Sequence, residues 1–109
     1  MSRDAPDIVE RIRRQAKTGN VRITRHALEE MVEESISFKE ALEAIENAKV
    51  LENYPEHRRG ACCLLMGKTA AERPLHIVAT TMQPILVIIT VYEPKPPRWV
   101  TPEVRSRSR

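Results

Sequence analysis

Apolar residues recur every three or four positions through the first half of the chain, then crowd into short continuous or alternating runs through the second. The first pattern predicts helices and the second predicts strands. Ile8, Val9, Ile12 and Ala16 fall on one face of a helix that Ser2 or Asp4 can cap, with Pro6 close to its first helical position and Gly19 and Asn20 at its end. A short extended segment, Val21 to Ile23, leads to Thr24, the cap of a second helix whose buried stripe is expected to be Leu28, Met31 and Val32 and which ends near Ser35. Ser37 and Glu40 have the spacing of a capping box, and the helix that follows carries Phe38, Ala41, Leu42, Ile45 and Ala48 on one face.

From Lys49 onward the period shortens. Val50 to Tyr54 reads as a strand, Pro55 to Gly60 as a turn with basic residues at its tip, and Ala61 to Met66 as a second strand. Leu75 to Thr81 and Ile85 to Tyr92, separated by Met82, Gln83 and Pro84, form a hairpin of Ile, Val and Thr. Its second run is so apolar that the strand is expected to be covered on both faces or nearly so. Helices followed by four strands on short loops predict an α+β fold, with N-terminal helices packed on a four-stranded antiparallel meander. Residues 1–94 then make a single domain, and residues 95–109 a Pro-rich basic tail in which Trp99 alone is expected to pack back on the sheet.

With 109 residues there is room for one core and not for two. A content of 41% apolar and 30% charged residues excludes disordered and membrane chains, and the N-terminus lacks the apolar run of a secretory signal, so a cytoplasmic protein with no membrane partner is expected. Cys62 and Cys63 are adjacent, so in a strand they point to opposite faces and read as small core residues. The net charge of +3 is concentrated: charge is balanced through residue 92, and Lys95, Arg98, Arg105, Arg107 and Arg109 outweigh Glu93 and Glu103 beyond it.

The polar groups set into the greasy hairpin are His76, Thr80, Thr81, Thr90 and Tyr92. His76 must point away from the face of Leu75 and Ile77, either hydrogen-bonded in a core or lining a cleft. His26, in the first turn of the second helix, is expected to be exposed, and His57 to be solvated in its turn. No His-x-x-x-His or Cys-x-x-Cys spacing exists, so no metal site and no cofactor is expected.

The segments TRHALEEM, ISFKEALEAI, NYP, CCLLMG, RPLHIVAT and ITVYEP, followed by Trp99, resemble a bacterial domain-of-unknown-function family grouped with the RelE-like and BrnT-like toxins of toxin and antitoxin pairs. The resemblance covers about residues 24–99 and implies a RelE-like toxin fold, with an antitoxin protein or RNA as partner. That family's helix usually reads H-A-x-x-R-M-x-x-R-G; here Glu30 and Glu34 stand where basic residues are typical and Ser35 where Gly is. Two functions fit these residues. One is a noncatalytic binding or regulatory module on the toxin scaffold, in which the same polar groups are structural. The alternative is a metal-independent endoribonuclease, with His26 and His76 as base and acid, Thr90 and Tyr92 as donors, and Arg58, Arg59 or Arg73 holding the phosphate.

Overall fold

The computed structural model describes residues 4–58, 60–96 and 99–105. Three helices, α1 (Asp4–Lys17), α2 (Arg25–Glu34) and α3 (Phe38–Glu46), pack on a five-stranded sheet. Its strands are β1 (Val21–Ile23), β2 (Lys49–Tyr54), β3 (Cys62–Lys68), β4 (Pro74–Thr80) and β5 (Leu86–Tyr92), in the spatial order β1-β5-β4-β3-β2. The antiparallel meander from β2 to β5 follows the sequence reading. The strand count does not. The short extended segment before α2 is a fifth strand, pairing parallel to β5 with Val21 opposite Leu86 and Ile23 opposite Ile88, so the sheet is mixed. Three residues are too few to show a period, and their partner lies more than sixty positions away.

Local signals set the helix ends. Thr24 accepts the Ala27 N–H at 3.1 Å and donates its own hydroxyl proton to the Ile89 carbonyl at 3.1 Å, tying the start of α2 to β5. Ser37 and Glu40 close the anticipated capping box, each side chain taking the other's backbone N–H. Gly67 stands where β3 passes under α3: a Cβ there would lie 1.9 Å from the Ala44 carbonyl oxygen. Only glycine permits that approach.

Both faces of the sheet are covered. On the helical side Ile12, Ala27, Met31, Ala44 and Ile45 pack against Cys63, Leu65, Leu75, Ile77 and Val91. Alternation along β3 sends Cys62, Leu64 and Met66 to the other face, and they are buried as well. That face carries Trp99, 2% exposed, at the start of a small hairpin of β6 (Trp99–Thr101) and β7 (Val104–Arg105). Trp99 packs back on the sheet as anticipated, and residues 99–105 form strands where none were expected. An ion pair between Lys49 and Glu103 ties the hairpin turn to the start of β2. The expected Ser2 cap and residues 106–109 of the tail lie outside the described residues.

The stripe assigned to α2 is corrected. Ala27 and Met31 are buried, whereas Leu28 is 48% and Val32 80% exposed. The helix is rotated so that positions 27, 30, 31 and 34 face the sheet, the last a carboxylate like position 30. Glu30 accepts the Val91 N–H and Glu34 accepts the Glu93 N–H, both at 2.9 Å. One helical turn and two strand residues span nearly the same distance, about 6 Å in each case, so two carboxylates four apart meet two N–H groups two apart. They close the edge of β5 beyond the reach of β1, where open N–H groups would invite another strand.

Candidate functional site

The polar residues singled out in the hairpin assemble on the face opposite the helices. His76 and Tyr92 are direct partners across β4 and β5, and Val78 and Thr90 are the next pair on the same face. The His76 ring is fully buried. Its Nε2 lies 2.6 Å from the Pro102 carbonyl oxygen and its Nδ1 3.2 Å from the Tyr92 hydroxyl. A carbonyl only accepts, so Nε2 carries the proton and donates it; in the neutral ring Nδ1 is then the acceptor for the Tyr92 O–H. Trp99 meets the ring edge-on with centroids 4.3 Å apart. Of the two readings open for this histidine, a hydrogen-bonded core position is the one adopted.

Arg73 is equally committed. Its Nε donates to the Glu93 carboxylate at 2.9 Å, Nη1 to the Ser35 carbonyl at 3.1 Å and Nη2 to the Glu34 carbonyl at 2.7 Å, while the Glu40 carboxylate lies 3.9 Å away. It caps the C-terminal end of α2, where carbonyls lack intrahelical partners and the helix dipole favours a cation. The same helix end explains Ser35. That residue adopts φ 55° and ψ 49°, the left-handed conformation that glycine takes most easily, and its following residue donates back to the Met31 carbonyl at 2.8 Å.

His26 belongs to a different neighbourhood. Its Nε2 is 3.3 Å from the Glu30 carboxylate, and its side chain is 64% exposed on the outer part of α2. Ala27 and Met31 place α2 in the helical layer, while His76 faces the C-terminal hairpin, so the two rings do not share a cleft. Arg58 is exposed in the turn between β2 and β3, and His57 beside it is exposed too. Arg59 lies outside the described residues. Thus His76, Tyr92 and Thr90 come together, and His26, Arg58 and Arg73 are each elsewhere.

Sequence reasoning did not anticipate the roles of Glu30 and Glu34. They stand where basic residues are typical of the pattern this sequence resembles, and their carboxylates are turned to backbone N–H groups. Nothing local separates a carboxylate that faces solvent from one that faces a strand edge. Among the described residues no group of three or more His, Cys, Asp and Glu is placed to hold a metal ion. No helix among them is long and apolar enough to cross a membrane. Burial pushes both thiols up, that of Cys63 to about 12 with the neighbouring Cys62 adding to the effect.

Residues 23–93 match the family model DUF4258, a domain of unknown function. The match takes in α2, α3 and β2 to β5, with α1 before it and the hairpin over His76 after it. Neither the curated proteins nor the solved structures include a match to this chain.

Proposed function

The chain belongs to the DUF4258 family of domains of unknown function, and we propose that it is a noncatalytic binding module on a RelE-like scaffold. The observation that carries this reading is the state of His76. A general acid or base must reach its substrate's proton and exchange its own, and this ring is fully buried with both nitrogens engaged. Arg73, the candidate phosphate holder nearest to it in sequence, spends its guanidinium on a helix end and two carboxylates. Removing these groups from chemistry leaves a platform whose helical side exposes Leu28, Val32 and Phe38. The partner we propose is a protein encoded beside this one, in keeping with the toxin and antitoxin pairs the sequence resembles.

One observation favours the alternative of a metal-independent endoribonuclease. His76, Tyr92 and Thr90 occupy one face of two adjoining strands, and the cover over them lies outside the family match. The experiment that separates the readings is an RNA cleavage assay with purified full-length protein, with and without EDTA, beside co-expression with the neighbouring gene product. We expect no cleavage above background and a stoichiometric complex. EDTA-resistant cleavage that disappears in His76→Ala, with the variant still folded, would overturn the binding reading.

A further inference from the structure

The clefts of the described surface differ in how their charges are balanced. Between α1 and α3, Arg13 and Lys17 share the walls with Glu46, and on α2 Arg25 shares the walls with Glu29 and Glu33 and is paired to Glu29 at 3.3 Å. A third cleft, of about 470 Å³, opens where α1 meets the β2–β3 turn and the β4–β5 loop. Its apolar walls are Ile8, Pro55, Ala61 and Met82. Its polar groups are Arg11, Asn53 and Thr81, with no carboxylate among the described lining residues.

Arg11 is the cation of this cleft, and it is not neutralised by any carboxylate among the described residues. Its Nη2 donates to the Gln83 carbonyl at 2.8 Å, and its Nε is buried without a partner. Gln83 also accepts from Gln15 at 2.8 Å, so two α1 side chains hold the β4–β5 loop and fix the cleft's shape. A guanidinium carries five N–H donors in a planar fork suited to a carboxylate. The volume falls in the range of small-ligand sites, roughly 300–1,000 Å³, and the combination of greasy walls with few polar groups is usual for them. Met82, 72% exposed at the mouth, has the adaptable side chain that lets such a wall fit more than one apolar body.

We infer that this cleft binds a monocarboxylate bearing an apolar body, with Arg11 receiving the carboxylate and Asn53 and Thr81 supplying further hydrogen bonds. The inference is independent of whether the protein is catalytic. The ligand is either a free aliphatic acid or a peptide C-terminus ending in an apolar residue, and the chemistry of recognition is the same. Ile8 and Arg11, the cation of the site among them, come from α1, which precedes the family match, while the other lining residues fall within it.

The test is a titration of the ¹⁵N-labelled full chain, followed by amide shifts, with hexanoate, hexylamine and hexan-1-ol. Hexanoate should move the signals of Arg11, Asn53, Ala61, Thr81 and Met82 along saturable curves, and the amine and alcohol should bind about tenfold more weakly or worse, since charge-assisted hydrogen bonds are the strong ones. Arg11→Gln should weaken hexanoate by a similar factor and Arg11→Lys by less, the spectrum itself reporting whether each variant is folded. A tripeptide ending in leucine, compared as free acid and amide, identifies the source: a free acid that binds more tightly than hexanoate points to a chain terminus, and the reverse to a small metabolite. Equal binding of the three six-carbon probes, an unchanged hexanoate affinity in folded Arg11→Gln, or no saturable shift at these residues overturns the proposal. Should Arg11→Gln unfold, the comparison of the three probes on the wild-type chain decides alone.

Discussion

Val91 donates its backbone N–H to the carboxylate of Glu30 at 2.9 Å across 61 residues of sequence. The other oxygen of that carboxylate is 3.3 Å from the His26 ring, so Glu30 joins the exposed surface of α2 to the edge of the sheet. With Glu34 on Glu93 and Thr24 on Ile89, α2 serves as the lateral partner that β5 lacks past the end of β1.

Glu30→Ala should therefore cost more than an ordinary surface substitution. A hydrogen bond to a charged group contributes about 1.5–3 kcal/mol, and its loss leaves a strand N–H without its acceptor. Urea denaturation should show a loss of about 2 kcal/mol for Glu30→Ala, less for Glu30→Gln, whose amide oxygen can still accept. A Glu30→Ala midpoint within error of the wild type would mean that water replaces the carboxylate at no cost.

Gly67→Ala is expected to be among the most damaging single changes. The added methyl carbon would meet a backbone oxygen of α3, not the end of a flexible side chain, so α3 or β3 must move. Overpacking typically costs 1–3 kcal/mol, and with backbone on both sides about 3 kcal/mol or more is expected, read as a fall in Tm. Gly19→Ala, with open space around its Cβ but φ of +80°, should lose only about 1 kcal/mol.

His76→Ala should act on stability and on the hairpin. It removes a fully buried ring, its contact with Trp99 and its bond to Pro102, so a loss of roughly 3 kcal/mol is expected, with Tyr92→Phe near 1 kcal/mol. Trp99 emission should shift to the red in His76→Ala as the hairpin loosens. A fully folded His76→Ala with unchanged fluorescence would show that the hairpin is held without this ring.

The buried thiol of Cys63 makes alkaline stability a further check. Its ordinary value of 9.0 applies to the unfolded chain, and in the folded protein it is pushed up to about 12. Between these two values the unfolded chain gives up a proton that the folded protein keeps. The stability this thiol contributes is therefore complete below about pH 9 and is lost as pH rises toward about 12, at up to ~1.4 kcal/mol per pH unit. Lysines and tyrosines titrate in the same range, so the measurement is the difference in slope between wild type and Cys63→Ala. Equal slopes would show that the thiol does not differ between folded and unfolded chains. Native protein at pH 8 should also react with a thiol reagent far more slowly than urea-unfolded protein.

Several features of this protein were determined by residues within a turn or a strand pair of one another. Ser37 and Glu40 specify their own cap, the apolar runs from Val50 to Tyr92 order the meander through short loops, and adjacent Cys62 and Cys63 must face opposite ways. Trp99, the large apolar residue of a polar tail, had to find a surface. The rest depended on partners far along the chain. The parallel pairing of β1, the rotation of α2 that exposes Leu28 and Val32, and the burial of His76 beneath Pro102 each join segments separated by more than twenty residues. A carboxylate, a guanidinium or an imidazole has the same local signature whether it meets solvent, a phosphate or a backbone group. For Glu30, Glu34, Arg73 and His76 only the tertiary structure decided which, because an unpaired backbone N–H or carbonyl is costly to bury and the fold places one beside each of them.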